Sequence, residues 1–252
     1  MAQVASTAIS AGGGSLAATA VTFYGNTATS HGGAIFNGNN NLTLTDSILW
    51  GDSGGEIYNY GASSSTVSYS DIQGGYAGSG NLNTDPLLAP LGDYGGGLQT
   101  MALLPSSPAI GATSSNCHAQ DERGVTRSTP TCDLGAFEST GFTLAKSGGD
   151  NQATLIRTAF SRPLVVTVTA NNPIEPVNGG VITFIVPATG PSAILASNPV
   201  MIVGGKASIT AVANGVAGGP YIISATAPGV EARVIFNLMN RQIRVFLPVL
   251  RK

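Results

Sequence analysis

The sequence predicts an all-β protein in two parts, a right-handed parallel β-helix closed by a cap and then an Ig-like β-sandwich. Three observations carry this. A six-residue pattern recurs at the spacing of one solenoid coil, "GGAIFN" (Gly32 to Asn37) and then "GGEIYN" (Gly54 to Asn59). Glycine is abundant, at 34 of 252 residues, while charged residues are only 10%, against roughly 25% in an average domain. The second half reads as a run of alternating strands broken by Gly, Pro and Asn turns. With hydrophobic residues at 42% and a formal charge of −2, the chain has the apolar content to fold, and its glycines and scarce helix formers favour strands and turns.

The first part, residues 1–140, rests on a repeat longer than the opening motif. "LAATAVTFYGN" (Leu16 to Asn26) aligns with "LTLTDSILWGD" (Leu42 to Asp52), and that aligns with "STVSYSDIQGG" (Ser65 to Gly75). Phe23, Leu49 and Ile72 occupy equivalent positions, each followed two residues on by Gly25, Gly51 or Gly74. A period of this size marks a stacked supersecondary unit. Side chains alternate across a strand, so Phe23, Leu49 and Ile72, with Leu44 and Val67, are expected to form inward ladders. Tyr24, Trp50 and Gln73 then point outward. "NGNNN" (Asn37 to Asn41) reads as a variable turn.

Charge divides the chain. Residues 1–122 hold eight acids and no Lys or Arg; residues 123–252 hold all 11 basic residues and five acids. Without Lys or Arg to replace phosphate counterions, the first half is not expected to bind nucleic acid. No apolar run reaches the length of a membrane span, and "MAQVASTAISAGGGS" lacks the positive n-region of a secretory signal.

The motifs also carry resemblances. "FYGNTATSHGGAI" (Phe23 to Ile35) resembles the FxxN and GGA(I/L/V) repeats of the polymorphic outer-membrane proteins, β-helical proteins of bacterial surfaces. "DPLLAPLGDYGGGLQTMALLPSSPAIGA" (Asp85 to Ala112) and "CHAQDERGVTRSTPTCDLGAFE" (Cys117 to Glu138) resemble the closing segment of choice-of-anchor Q proteins. The two cover residues 16–138 and imply a secreted or surface β-helix. Tyr94, Met101 and Gly111 depart from that family's usual residues, so no metal or catalytic role carries over onto them.

Residues 141–240 supply about seven strand-like runs, among them "PLVVTVTA", "GVITFIVPA" and "YIISATAPG", as a sandwich requires. "PLVVTVTANNPIEPVNGGVITF" resembles the Ig-like repeats of invasin-type surface proteins. "STGFTLAKSGG" (Ser139 to Gly149) reads as a linker at the junction. Residues 241–252, "RQIRVFLPVLRK", form a basic-apolar tail far too short to span a bilayer.

Cys117 and Cys132 are the only cysteines, and an even count in an exported context favours a disulfide. The alternative is a metal site with His118, but a structural zinc site needs a fourth ligand. Asp121, Arg123, Arg127, Asp133 and Glu138 form the densest charge cluster, read as a structural cap over the last coil's unpaired edge; the rival is an acid/base site. No catalytic, cofactor-binding or metal residue is assigned. "NTD" (Asn83 to Asp85) matches one polygalacturonase motif, but no second paired carboxylate follows, and no basic residue precedes position 123 to serve a lyase. His31 and His118 stand isolated. The outward aromatics Tyr24 and Trp50, and Phe36 and Tyr58, are either packed beneath flanking loops, the preferred reading, or a candidate ligand face.

These readings give a non-enzymatic structural or adhesion protein, extracellular or on the cell surface and part of a longer chain whose export signal lies upstream. It needs no cofactor, and glycans or surface proteins are its expected partners. The alternative is a carbohydrate-active or carbohydrate-binding β-helix protein. Fold analogy alone supports that alternative.

Overall fold

The structure is a computed structural model that describes residues 4–5, 9–113 and 117–242. It is all-β, with no helix among the described residues, and no helix is long and apolar enough to cross a membrane. The chain forms two compact units, Met1–Gly141 with Ala170–Pro176, and Phe142–Thr169 with Val177–Lys252. Residues 170–176, assigned by sequence to the second part, thus belong to the first unit.

In the first unit the strands β1 (Val4–Ala5), β2 (Ile9–Thr19), β3 (Thr22–Tyr24), β4 (Ile35–Thr45), β5 (Ile48–Trp50), β6 (Ile57–Tyr60), β7 (Ser64–Ser68) and β8 (Asp71–Ile72) form two parallel sheets. One sheet has the order β1-β3-β5-β8; in the other, β4 pairs β2 on one side and both β6 and β7 on the other. The register matches the repeat: Phe23 pairs with Leu49 and Leu49 with Ile72, while Leu44 pairs with Val67. All five side chains are buried and share one apolar cluster.

The turns repeat as faithfully as the strands. Gly25, Gly51 and Gly74 all have positive φ, and so do Ala20, Asp46 and Tyr69 at the preceding corner. The second set is a left-handed corner without glycine, a conformation that ordinarily costs an L residue about 1 kcal/mol or more. Side chains further along the chain satisfy the backbone there. Ser47 Oγ accepts from Val21 N at 3.3 Å, Ser70 Oγ from Ser47 N at 3.1 Å, and Asn81 Oδ1 from Ser70 N at 3.1 Å.

The glycine pair of the opening motif has a steric reason. Gly32 and Gly33 donate to Gly54 O and Gly55 O of the next repeat at 3.0 and 2.6 Å. A Cβ on Gly33 would lie 2.5 Å from the Ser53 carbonyl oxygen. "NGNNN" corrects the expectation of a turn, because it lies inside the continuous strand β4. Only Asn39 turns left-handed (φ 57). The amide of buried Asn37 donates to Asn59 Oδ1 at 2.9 Å and Ser64 O at 3.0 Å. The break falls one repeat later, around Gly61, between β6 and β7.

The open edge of β8 is covered by residues 81–83: Ile72 N donates to Leu82 O at 3.0 Å, and Gly74 N to Asn83 Oδ1 at 3.0 Å. The segment beyond, which includes the hairpin of β9 (Gly92–Asp93) and β10 (Gln99–Thr100), covers a face. Ile48, next to inward Leu49, is fully buried in a second cluster with Ala89, Ala102, Leu103, Leu134 and Phe137.

The second unit contains β11 (Phe142–Gly148), β12 (Gln152–Leu155), β13 (Leu164–Ala170), β14 (Val181–Ile185), β15 (Ala193–Leu195), β16 (Val200–Met201), β17 (Lys206–Ile209), β18 (Ala211–Ala213), β19 (Gly218–Thr226) and β20 (Val234–Arg241). They form sheets of order β11-β13-β17, β12-β20-β19-β14-β16 and β15-β18. Burial alternates along β13 and β14, as strands with one covered face require: Leu164, Val166 and Val168 are buried, as are Ile182 and Phe184. Phe184 and Phe236 meet at 6.1 Å between centroids. The linker reading of "STGFTLAKSGG" is corrected, since most of it is β11, with Phe142 fully buried. Of the strand-like run "TLIRTAF" (Thr154 to Phe160), expected as one of the seven, only Thr154 and Leu155 are strand, at the end of β12. The basic-apolar tail from residue 243 lies outside the described residues.

Candidate functional site

Cys117 and Cys132 are joined, with their Cα atoms 5.8 Å apart. Both sulfurs are used in the bond, so the alternative metal reading with His118 loses its ligands. Among the described residues no group of three or more His, Cys, Asp or Glu side chains could hold a metal ion. The bond closes a loop whose end, Cys132, exchanges backbone hydrogen bonds with Thr113 at 2.9 and 3.1 Å.

The five charged residues come together, and the structure adds a sixth. Arg123 Nη2 lies 2.8 Å from Asp121 Oδ2, and its Nη1 lies 3.2 Å from Glu175 Oε1. Arg123 also donates to Tyr94 O at 3.3 Å and Glu138 O at 2.5 Å. Its side chain is 1% exposed and those of both carboxylates 0%, so the full guanidinium fork is matched inside the protein. Glu175 sits in residues 170–176 and also accepts from Thr140 N at 3.1 Å.

Arg127 serves a different set of acceptors. Its Nη1 donates to Glu138 Oε2 at 3.2 Å and Asp133 O at 2.9 Å, and its Nη2 to Gly135 O at 2.6 Å. Glu138 accepts from Ser128 N at 2.8 Å and Asp133 N at 2.9 Å. Asp133 accepts from Gly111 N and Ser139 N, both at 2.7 Å. Burial, and then the neighbouring Glu138 carboxylate, push Asp133 up to about 7. Most polar atoms of this constellation are spent on holding the backbone of residues 119–141, while the buried Arg127 Nε has no hydrogen-bond partner.

Its position differs from an end cap. Gly135 N donates to Asp46 O at 2.7 Å, Ala136 N to Thr22 Oγ1 at 3.0 Å, and Thr113 Oγ1 to Asp46 Oδ1 at 2.7 Å. A Cβ on Gly135 would come within 2.5 Å of Thr22 Oγ1 and 2.9 Å of Ile48 Cδ1, at a φ of +81°. The clasp therefore lies across the sheet containing β3 and β5, and residues 81–83 protect the last edge. The reason is apolar: Ile48, Trp50, Leu134 and Phe137 need a common cover.

The outward aromatics separate. Trp50 is half-buried against the second cluster, while its register partner Tyr24 remains 44% exposed. Phe36 and Tyr58 are register partners with centroids 5.7 Å apart. Tyr60 and His31, which sequence reasoning did not include, join them: Tyr60 lies 6.1 Å from Phe36, and His31 stacks on Tyr58 at 4.1 Å. The period of two from Tyr58 was the signal for Tyr60.

One carboxylate pair lies elsewhere. Asp52 and Glu56 are buried within the repeat, where Asp52 N donates to Glu56 Oε1 at 3.2 Å and Asp52 Oδ1 accepts from Asn26 N. Burial, with the Asp52 side chain beside it, pushes Glu56 up to about 8.

Compared with protein-family models, curated proteins and solved structures, the chain finds no match in any of the three.

Proposed function

We propose that this chain is a non-enzymatic structural or adhesion segment of a secreted or cell-surface protein. Its first unit is a right-handed parallel β-helix and its second an Ig-like sandwich. Support for the helix comes from parallel partners one repeat apart in both sheets. For the sandwich it comes from the alternating burial of β13 and β14.

The observation that carries the non-enzymatic reading is the state of the charged cluster. Arg123 and Arg127, the basic residues nearest the repeats in sequence, are buried and bound to carboxylates and carbonyl oxygens of their own unit. Glycan cleavage needs an acid with a base or nucleophile that reach the substrate. Glu56, pushed up to about 8 and so suited to acid chemistry, and its neighbour Asp52 are 7% and 8% exposed, so they stay out of a polysaccharide's reach. The disulfide fits an oxidising compartment.

Incubation with pectin, alginate and neutral polysaccharides, followed for unsaturated products and new reducing ends, tests the reading. The expected result is no product above the protein-free control. Turnover that disappears in a stably folded Arg123→Ala protein would overturn it.

A further inference from the structure

The outer row of β4 and β6 carries a compact aromatic surface. Phe36 and Tyr58 meet at an interplanar angle of 33°, Phe36 and Tyr60 at 28°, and His31 and Tyr58 at 27°. The rings are therefore near-parallel, with His31 stacked on Tyr58 and Tyr60 beside Phe36, in one row along the sheet. Tyr60 is opposite Gly38 in register; with no side chain beside it, its ring leans toward Phe36 and remains 57% exposed. His31 is exposed, and Phe36 and Tyr58 are half-buried.

The surroundings are polar and uncharged. Asn39, Asn41, Asn59 and Ser64 are exposed on the neighbouring strands and turns. The acids of this stretch, Asp46, Asp52 and Glu56, are buried, and no Lys or Arg occurs before residue 123. The strands that carry the row thus supply neither a lysine or arginine for an anionic ligand nor an exposed carboxylate for a cationic one.

We propose that this face binds a neutral glycan. The apolar C–H faces of sugar rings pack on exposed aromatic planes, and the tyrosine hydroxyls and the imidazole supply donors and acceptors at the rim. Phe36 and Tyr58 pair in register across β4 and β6, and Tyr60 follows Tyr58 on the same strand, so an extended chain is bound along this row rather than at one sugar. This inference rests on the reading of the unit as a binding rather than a catalytic surface, and gives that surface its ligand class.

Electrophoresis through gels containing soluble β-glucan, galactomannan or xylan, with polygalacturonate as the anionic comparison, tests it. At least one neutral polymer is expected to retard the wild-type protein, and polygalacturonate to leave it unretarded. Tyr60→Ala and Tyr58→Ala, each melting like wild type, should weaken retention by about tenfold, the scale of one lost stacking contact. Tyr24→Ala, which alters an exposed ring outside the row, should retain it. No retardation by any neutral polymer, retardation by polygalacturonate alone, or full retention in both Tyr58→Ala and Tyr60→Ala would overturn the proposal. Shortening of the polymer during the run would instead overturn the non-enzymatic reading while leaving the location of binding intact.

Discussion

The guanidinium carbon of Arg123 lies 3.5 Å from the centroid of the Phe137 ring. Tyr94 meets the same ring edge-on at 6.2 Å and accepts from Arg123 through its backbone carbonyl. One arginine therefore joins the apolar cluster beneath it to Asp121, Glu138 and Glu175 around it. Buried ion pairs are weak evidence of net stabilisation, but removing one partner strands the others in a dry environment. That asymmetry makes the clasp testable.

The ladder of Phe23, Leu49 and Ile72 fixes the stacking of the repeats. Leu49→Ala should cost about 2–5 kcal/mol, the range for a fully buried leucine. Leu49→Asp should abolish cooperative unfolding of the first unit, because it buries an unpaired charge. Urea denaturation followed by tryptophan fluorescence reads both, since Trp50 is the only tryptophan. Wild-type midpoints in both proteins would contradict the inward ladder.

The disulfide closes a separation of 15 residues, worth about 3 kcal/mol on the chain-entropy account. Reduction should lower the melting temperature and expose residues 118–131 to proteases. Equal melting curves with and without reductant would contradict a stabilising role.

Glu56 supplies the pH dependence. Its folded value of about 8 lies above the ordinary 4.5, so the folded state holds a proton that the unfolded chain has released. Its stabilising contribution is complete below about 4.5 and is lost as pH rises through about 8. Between pH 5 and 8 the wild-type urea midpoint should fall, and Glu56→Gln should flatten that slope. Asp133, raised to about 7, leaves a residual slope in the variant. Identical slopes in the two proteins would contradict the buried, protonated Glu56.

Much of the first unit was legible because strands one sequence repeat apart pair in parallel and set equivalent side chains side by side. Phe23, Leu49 and Ile72 announced their register, and Cys117 and Cys132 their bond. The left-handed corners at Ala20, Asp46 and Tyr69 were hidden, since none is glycine and the side chains that support them, Ser47, Ser70 and Asn81, lie further along the chain. Glu175 was invisible for a related reason: its partner Arg123 is 52 residues away, and no local pattern marks a long-range ion pair. Gly and Ser in "STGFTLAKSGG" suggested a linker, but Phe142 and Leu144 are buried, and tertiary packing outweighed local composition. The charged residues of 121–138 were expected at the open end of the stack. Alternation put Trp50 on the outer face, but it does not say what covers it.

The most direct test of the clasp is the urea-unfolding free energy of Arg123→Ala measured beside wild type. Losing the arginine leaves Asp121 and Glu175 buried without their cation, so the loss should be about 3–5 kcal/mol. Arg123→Lys should recover only part of it, since an ammonium cannot reproduce the fork. An Arg123→Ala protein as stable as wild type would contradict the structural role assigned to residues 121–138.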